Sequence, residues 1–252
     1  MKELSKFSLK AIEVMRHLLE HDVVEETTID ALRVMELEYY SLLDKIAVLE
    51  ERVNIDEKTN LLKYKDDYIT MIVKTASRVL DRPTLNDDFK ISYIRFDIDN
   101  FSHLNNKYGH DKGDIVLIDV AKILRTASRP TDYPIRFGGE EFDVLLPATD
   151  LAGAGVYLDR IYGAMRQLKY DFNGDTIRPT ISGGVSMMKI PSMSLKEISD
   201  STMKEKYLTL QREVDDALYD AKLAGKDRFC TYDPTKDYHS IRTKYDARGK
   251  RK

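Results

Sequence analysis

The chain has no tryptophan, one cysteine, seven prolines and twelve glycines in 252 residues. Cys230 has no second cysteine with which to close an internal disulfide, which fits a reducing compartment. No apolar run approaches the roughly 20 residues that a membrane-spanning helix needs. The opening MKELSKFSLK lacks the apolar core and small-residue cleavage site of an export signal, so a cytoplasmic protein without a membrane span is expected. Neither sign of charge dominates: 40 Lys and Arg stand against 43 Asp and Glu, a formal charge of −3. Such a chain is no polycation, and duplex nucleic acid is a poor partner for it. With 42% apolar and 33% charged residues, it reads as an ordinary soluble protein of one or two domains, not a collagenous, low-complexity or wholly disordered chain.

The near-neutral total hides a gradient. Residues 1–54 carry seven Lys/Arg and twelve Asp/Glu, whereas residues 242–252 carry six Lys/Arg and one Asp. In the acidic segment Leu4, Phe7, Ala11, Val14 and Leu18 recur at helical spacing. After a polar break, Leu32, Met35, Tyr39, Leu42, Ile46, Leu49 and Val53 alternate at three and four residues. That is a heptad seam, and it predicts a coiled-coil dimerisation segment over 1–54, with a helix packed on its own domain as the simpler alternative. Residues 234–252 read as a basic, disordered tail, solvated or weakly tethered to an anionic surface.

From about residue 55 the texture is one of alternating strands and helices. Helices are expected at Lys65–Leu80, Gly113–Ala127, Leu151–Leu168 and Glu205–Ala224, with a polar turn at Asp81–Asp88. Strands are expected at Lys90–Asp99, Tyr133–Phe137, Glu141–Pro147, Ile177–Met188 and Arg228–Tyr232, the second and third joined as a hairpin through Gly138-Gly139. The pattern predicts an α/β (α+β) domain with a mixed central sheet flanked by helices.

Three polar features break into this apolar framework. Asp97 and Asp99 end a strand and project to one face, either solvated or as oxygen ligands for a divalent cation. Arg136-Phe137-Gly138-Gly139-Glu140-Glu141-Phe142 joins two glycines, which permit a tight turn and close ligand approach, to two adjacent acids. Asn105 to Asp114, NNKYGHDKGD, reads as a glycine-broken loop running into a helix, whose N-terminal end favours anions.

Together FDIDNF, NNKYGHDKGD and RFGGEEF resemble the GGDEF family of diguanylate cyclases in its GGEEF variant, over about residues 55–233. The resemblance implies a nucleotide-cyclase-like fold and the joining of two GTP into cyclic di-GMP, each protomer of a homodimer holding one GTP. It implies that Asp97, the Ile98 carbonyl and Glu140 bind Mg²⁺, with Mn²⁺ as a substitute. It makes Glu140 or Glu141 the proton acceptor, the two roles not being separable. Asn105 and Asp114 are implied in choosing guanine over adenine, and His110, Lys222 and Lys226 in holding substrate. Arg129, Asp132 and Arg160 match an inhibitory site for the product. The chain departs from the family where Asp56-Glu57-Lys58-Thr59-Asn60-Leu61 replaces an Asp-x-Leu-Thr-Gly-Leu turn, where Ser102 stands for a lysine, and where Lys226 stands for an arginine. Those departures keep open a second expectation, a weakly active or inactive protein that binds cyclic di-GMP as a receptor.

Overall fold

A computed structural model describes residues 54–65, 68, 88–191 and 199–249. The described residues from Ile55 onward belong to one compact unit. The heptad segment, nearly all of the helix expected over Lys65–Leu80 and the turn after it lie outside the described residues. Strands are β1 (Leu62–Lys63), β2 (Phe89–Ile98), β3 (Tyr133–Arg136), β4 (Glu141–Pro147), β5 (Tyr170–Phe172), β6 (Asp175–Ile177), β7 (Ile181–Ile190) and β8 (Phe229–Thr231). Helices are α1 (Phe101–Tyr108), α2 (His110–Ala127), α3 (Leu151–Met165), α4 (Asp200–Leu223) and α5 (Tyr238–Gly249). Among the described residues, no helix is long and apolar enough to cross a membrane.

Six strands form one sheet in the order β1-β3-β4-β2-β7-β8. The central pairs β3/β4, β4/β2 and β2/β7 are antiparallel, and the two edge pairs, β1/β3 and β7/β8, are parallel, so the sheet is mixed as expected. Because successive side chains point to opposite faces, β2 supplies two different surfaces. Ile94, Phe96 and Ile98 join Phe142, Val144 and Leu146 of β4 in an apolar core with Val116, Val120 and Leu124 of α2 and Leu158 and Ile161 of α3. On the opposite face Ile91, Tyr93 and Leu145 pack with Tyr207, Leu210 and Val214 of α4. This second face turns polar toward the C-terminal end of β2, where Arg95, Asp143, Asp97 and Glu141 lie.

α4 meets β7 without a side chain between them. A Cβ on Gly184 would lie 2.0 Å from the Val214 carbonyl oxygen and 2.5 Å from the Leu218 nitrogen. Two turns further along, α4 carries the lysine expected at the substrate.

Four local features differ from the sequence expectation. Residues 105–114 are not a loop: they are the last turn of α1, the junction at Gly109 and the first turns of α2. Gly109, at φ 87°, donates its N–H to the Asn105 carbonyl at 2.9 Å and lets one helix stop and the next begin. β5 and β6 form a small hairpin around Asn173-Gly174, both at positive φ. α4 begins five residues earlier than expected, capped by Ser199, whose hydroxyl accepts from the Thr202 N–H at 3.2 Å. Residues 238–249, expected to be a disordered tail, form α5. Its start is fixed by partners that composition does not reveal: Tyr238 is buried and stacks on Tyr232 at 5.1 Å, and Arg242 bonds Asp216 on α4 at 2.6 Å.

The charged end of the α4 face holds a buried network. Arg95 donates to Asp143 from Nε at 2.7 Å and from a terminal nitrogen at 2.9 Å, and reaches Asp215 on α4 at 2.7 Å. Tyr93 donates its hydroxyl to the same Asp143 carboxylate. Asp143 is wholly buried and Arg95 is 4% exposed. Removing one member of such a pair leaves a buried charge without its counter-ion. Asp143→Ala is expected to cost about 3–5 kcal/mol in denaturant unfolding. The double change Arg95→Met with Asp143→Ala is expected to cost about 1–2 kcal/mol less, since the buried pair goes together and only the part-exposed Asp215 loses a partner. A double variant less stable than the single one would contradict this account.

Candidate functional site

Register brings the first two carboxylates together. Asp97 of β2 lies directly opposite Glu141 of β4 on one side and Ser182 of β7 on the other. Residues directly opposite in an antiparallel pair share a face, so both acids project toward α4. The Ile98 N–H donates to the Glu140 carbonyl at 3.2 Å, which carries the strand contact into the GGEEF loop. From the last turn of α4, Lys222 places its Nζ 2.8 Å from Asp97 Oδ2. Burial raises the Asp97 carboxyl above the ordinary carboxylate range against the pull of Lys222, and Asp99 adds to the rise. Burial also raises Glu141, which Arg95 opposes and Asp97 reinforces. Two desolvated carboxyls with raised affinity for a proton form an oxygen-donor set suited to a hard cation. Among the described residues, no three acidic, His or Cys side chains converge into a metal cage.

Asp99, whose role the sequence left open, is a structural clamp. Its Oδ1 accepts from the Ser182 hydroxyl at 2.7 Å, and its Oδ2 from the Thr180 hydroxyl at 2.7 Å and the Asp227 N–H at 3.1 Å. It thereby fastens the end of β2 to the start of β7 and to the turn after α4.

The GGEEF loop is shaped from outside. Arg136 donates from Nε to the Gly138 carbonyl at 2.6 Å and from a terminal nitrogen to the Gly139 carbonyl, while another nitrogen lies 3.5 Å from Asp56. The Phe137 ring lies 3.6 Å from the Arg95 guanidinium and meets Tyr64 edge-on at 4.7 Å. Neither Gly138 nor Gly139 is at positive φ, so a left-handed turn is not the reason for the pair. Gly139 has open space where a Cβ would project, so nothing within the described residues requires a glycine there.

A second cluster lies where α1 meets α2. Asn105, in the last turn of α1, has its Oδ1 buried without a hydrogen-bond partner among the described residues. A Cβ on Gly113 would lie 1.8 Å from that oxygen, so with Asn105 in this rotamer position 113 has no room for a side chain. Asp114, one residue further, has both carboxylate oxygens taken by Lys58 Nζ at 2.7 Å each. Lys58 comes from the turn at 56–61, where Asp56 accepts from the Thr59 N–H at 2.9 Å and hydroxyl at 2.7 Å and Asn60 is left-handed at φ 55°. Asn60 thus takes the backbone state expected of it as a replacement for glycine. His110 is exposed at the start of α2, so helix packing does not account for it. Lys226, at φ 62°, donates to Asn100 Oδ1 at 2.6 Å.

The third group stands apart. Arg129 and Asp132 lie past the C-terminal end of α2, about 20 Å along the helix from Asp114. Asp132 folds back to accept the Arg129 N–H at 2.7 Å. Burial raises its carboxyl, while the charges of Arg129 and then Arg160 oppose the rise. Arg160 of α3 is therefore close enough to act on the same carboxylate, and its guanidinium sits 5.6 Å from the Tyr157 ring centre.

Arg136, Arg95 with Asp143, and Lys58 were not singled out by sequence reasoning. Arg136 and Lys58 stood inside quoted motifs, and a charged pair at facing positions of two apolar strands was the signal for the other two.

Because the folded Asp97 carboxyl is raised, the folded state holds its proton more tightly than the unfolded chain. Its ionisation therefore removes stability as pH rises from about 4 toward the raised value, and the deficit persists above it. Without divalent cations, Asp97→Asn is expected to melt higher than the wild type at pH 7, with the difference closing toward pH 4. Melting curves across that range check this; an Asn variant that melts lower at pH 7 would refute it.

Residues 68–228 match the family model for the diguanylate cyclase GGDEF domain. Diguanylate cyclase A of Treponema denticola is 36% identical over 138 residues, covering 55% of this chain and 34% of that protein. The chain thus spans about a third of that relative's length. Diguanylate cyclase SiaD of Pseudomonas aeruginosa, crystallised with its activator SiaC, has a TM-score of 0.59 at 25% identity, covering 91% of this chain and 82% of that one. An active GGEEF domain of a diguanylate cyclase from Vibrio cholerae has a TM-score of 0.52 at 25% identity, covering 69% and 99% respectively. Since the family match runs through β2, the GGEEF loop and all of α4, the elements that carry the polar site, the chain belongs to the GGDEF family of diguanylate cyclase domains.

Proposed function

We propose that this chain is a diguanylate cyclase: two protomers, each holding one GTP, form cyclic di-GMP and release two pyrophosphates. The observation that carries the reading is the meeting of Asp97, Glu141, the Glu140 backbone and Lys222 at one end of β2 and β4. Asp97, Glu140 and the Ile98 carbonyl would hold Mg²⁺, which when bound neutralises phosphate charge. Lys222 then exchanges its contact with Asp97 for one with the triphosphate, and Lys226 does the same from Asn100. In each half-reaction a 3′-oxygen bonds to the α-phosphorus of the other GTP, the bond from that phosphorus to pyrophosphate breaks, and the hydroxyl proton passes to Glu140 or Glu141. The raised Glu141 carboxyl suits a proton acceptor better than an ordinary exposed acid would.

Guanine is read by Asp114, which accepts from N1–H and the 2-amino group, and by Asn105, whose buried Oδ1 lacks a donor. Adenine offers neither donor on that edge, and a site built for such bonds discriminates by about 10⁴. Arg129, Asp132 and Arg160 form a separate product site, where a guanidinium forks onto phosphate or guanine and the carboxylate accepts from a guanine edge. The alternative is a cyclic di-GMP receptor with little catalysis. It draws on the ion pairs of Asp97 with Lys222 and Asp114 with Lys58, which compete with a ligand for both carboxylates.

Incubation of the full chain with GTP and Mg²⁺ is expected to yield cyclic di-GMP, and Glu140→Ala to lower the rate at least about 100-fold. Binding of cyclic di-GMP with no product formed would overturn the enzyme in favour of the receptor. With product added at the start, the wild-type rate is expected to fall while Arg129→Ala keeps its initial rate. Equal inhibition of both would remove the product site from the Arg129 turn.

A further inference from the structure

Asp114 is engaged in an unusual way for a group that has to read a base. Lys58 Nζ lies 2.7 Å from both of its oxygens, so a single ammonium occupies the two acceptors that a guanine edge would use. Two ligands of this geometry exclude one another: N1–H and the 2-amino group need the same in-plane positions beside the carboxylate. Lys58 is also held in register for the contact. Asp56 closes the turn through Thr59, the Asn60 N–H donates to the Asp56 carbonyl at 2.7 Å, and the Asp56 N–H donates to the Leu61 carbonyl at 2.7 Å. Leu61, buried at 2% exposure, anchors the turn in the core beside α2. The Lys58 and Asp114 side chains themselves remain 47% and 37% exposed, so the pair opens without unpacking anything.

We infer that Lys58 is a built-in competitor for the purine site: it occupies Asp114 in the ligand-free protein, and GTP binds by displacing it. This rests on the assignment of Asp114 to guanine and adds to it a residue that sets the apparent affinity. It also makes the 56–61 turn a point of linkage. Any influence that draws Lys58 away tightens GTP binding, and bound GTP releases the turn by the same factor. Competition by an exposed ion pair is modest, and screening by salt weakens it.

The test is binding of 3′-deoxy-GTP, which lacks the attacking hydroxyl, to the full chain with Mg²⁺, measured by calorimetry. Lys58→Ala is expected to bind about two- to five-fold more tightly than the wild type. The ratio of the two affinities is expected to approach one as ionic strength rises. Lys58→Arg, whose planar fork matches a carboxylate, is expected to bind no more tightly than the wild type. Equal or weaker binding by Lys58→Ala would overturn the inference and, if weaker, would make Lys58 a ligand of the nucleotide. Asp114→Ala separates the two levels. If that variant binds poorly while Lys58→Ala is unchanged, only the competitor fails; if it binds as the wild type does, the guanine assignment fails with it.

Discussion

Seven consecutive antiparallel pairs, from Ile91–Pro147 to Asp97–Glu141, fix β2 against β4, and this register decides which face of the sheet each charged group of the two strands takes. Side chains alternate along each strand, so the pairing that sends Ile94, Phe96, Phe142 and Val144 into one core sends Arg95, Asp97, Glu141 and Asp143 to the other face. A slip of β2 by one residue would turn Arg95 and Asp97 into the core among α2 and α3 and turn Ile94 and Phe96 out of it. The hydrophobic effect thus enforces the opposition of two carboxylates that repel each other. Their mutual cost is held in place by the much larger area buried on the reverse side of the sheet.

The charged face is organised in two tiers. Deeper in, Arg95, Asp143, Tyr93 and Asp215 satisfy one another and join β2, β4 and α4. At the strand ends, Asp97, Glu141 and Lys222 are less completely enclosed than Arg95 and Asp143, while Asp215 marks the more exposed rim of the inner tier. The inner tier also reaches the signature loop, because the Arg95 guanidinium lies against Phe137, the residue before Gly138. Arg136 then holds that loop by its carbonyls and reaches back toward Asp56 in the turn that carries Lys58. The start of α2 and the GGEEF loop are therefore both tied to one short turn, through Lys58–Asp114 and Asp56–Arg136 respectively.

The sequence was readable where periodicity and motif chemistry are local. Alternation marked β2, the apolar run Phe142–Leu146 marked β4, and two of the quoted motifs held the facing acids Asp97 and Glu141. It was unreadable where partners come from afar. α1 was hidden because only Phe101 and Leu104 of its eight residues are buried, too few to display a period. The hairpin at 170–177 had a usable signal in Asn173-Gly174 that the neighbouring helix and strand patterns obscured. α5 depends on Tyr232 and Asp216, which composition cannot supply. Asp97 and Asp99, alike in sequence, separated only when Thr180, Ser182 and Asp227 were found to surround the second.

The contact at Gly184 sets the mechanical tolerance of the site. The backbone of α4 rests on β7 through the gap left by one missing methyl group, which makes the strand a hard stop for the helix. Lys222 lies eight residues beyond Val214, about 12 Å along the same rod. Any roll or lift of the helix at that stop is therefore transmitted to the ammonium beside Asp97. Strictly in terms of leverage, Gly184 is the fulcrum and Lys222 the pointer, and the carboxylate pair reads where the pointer comes to rest.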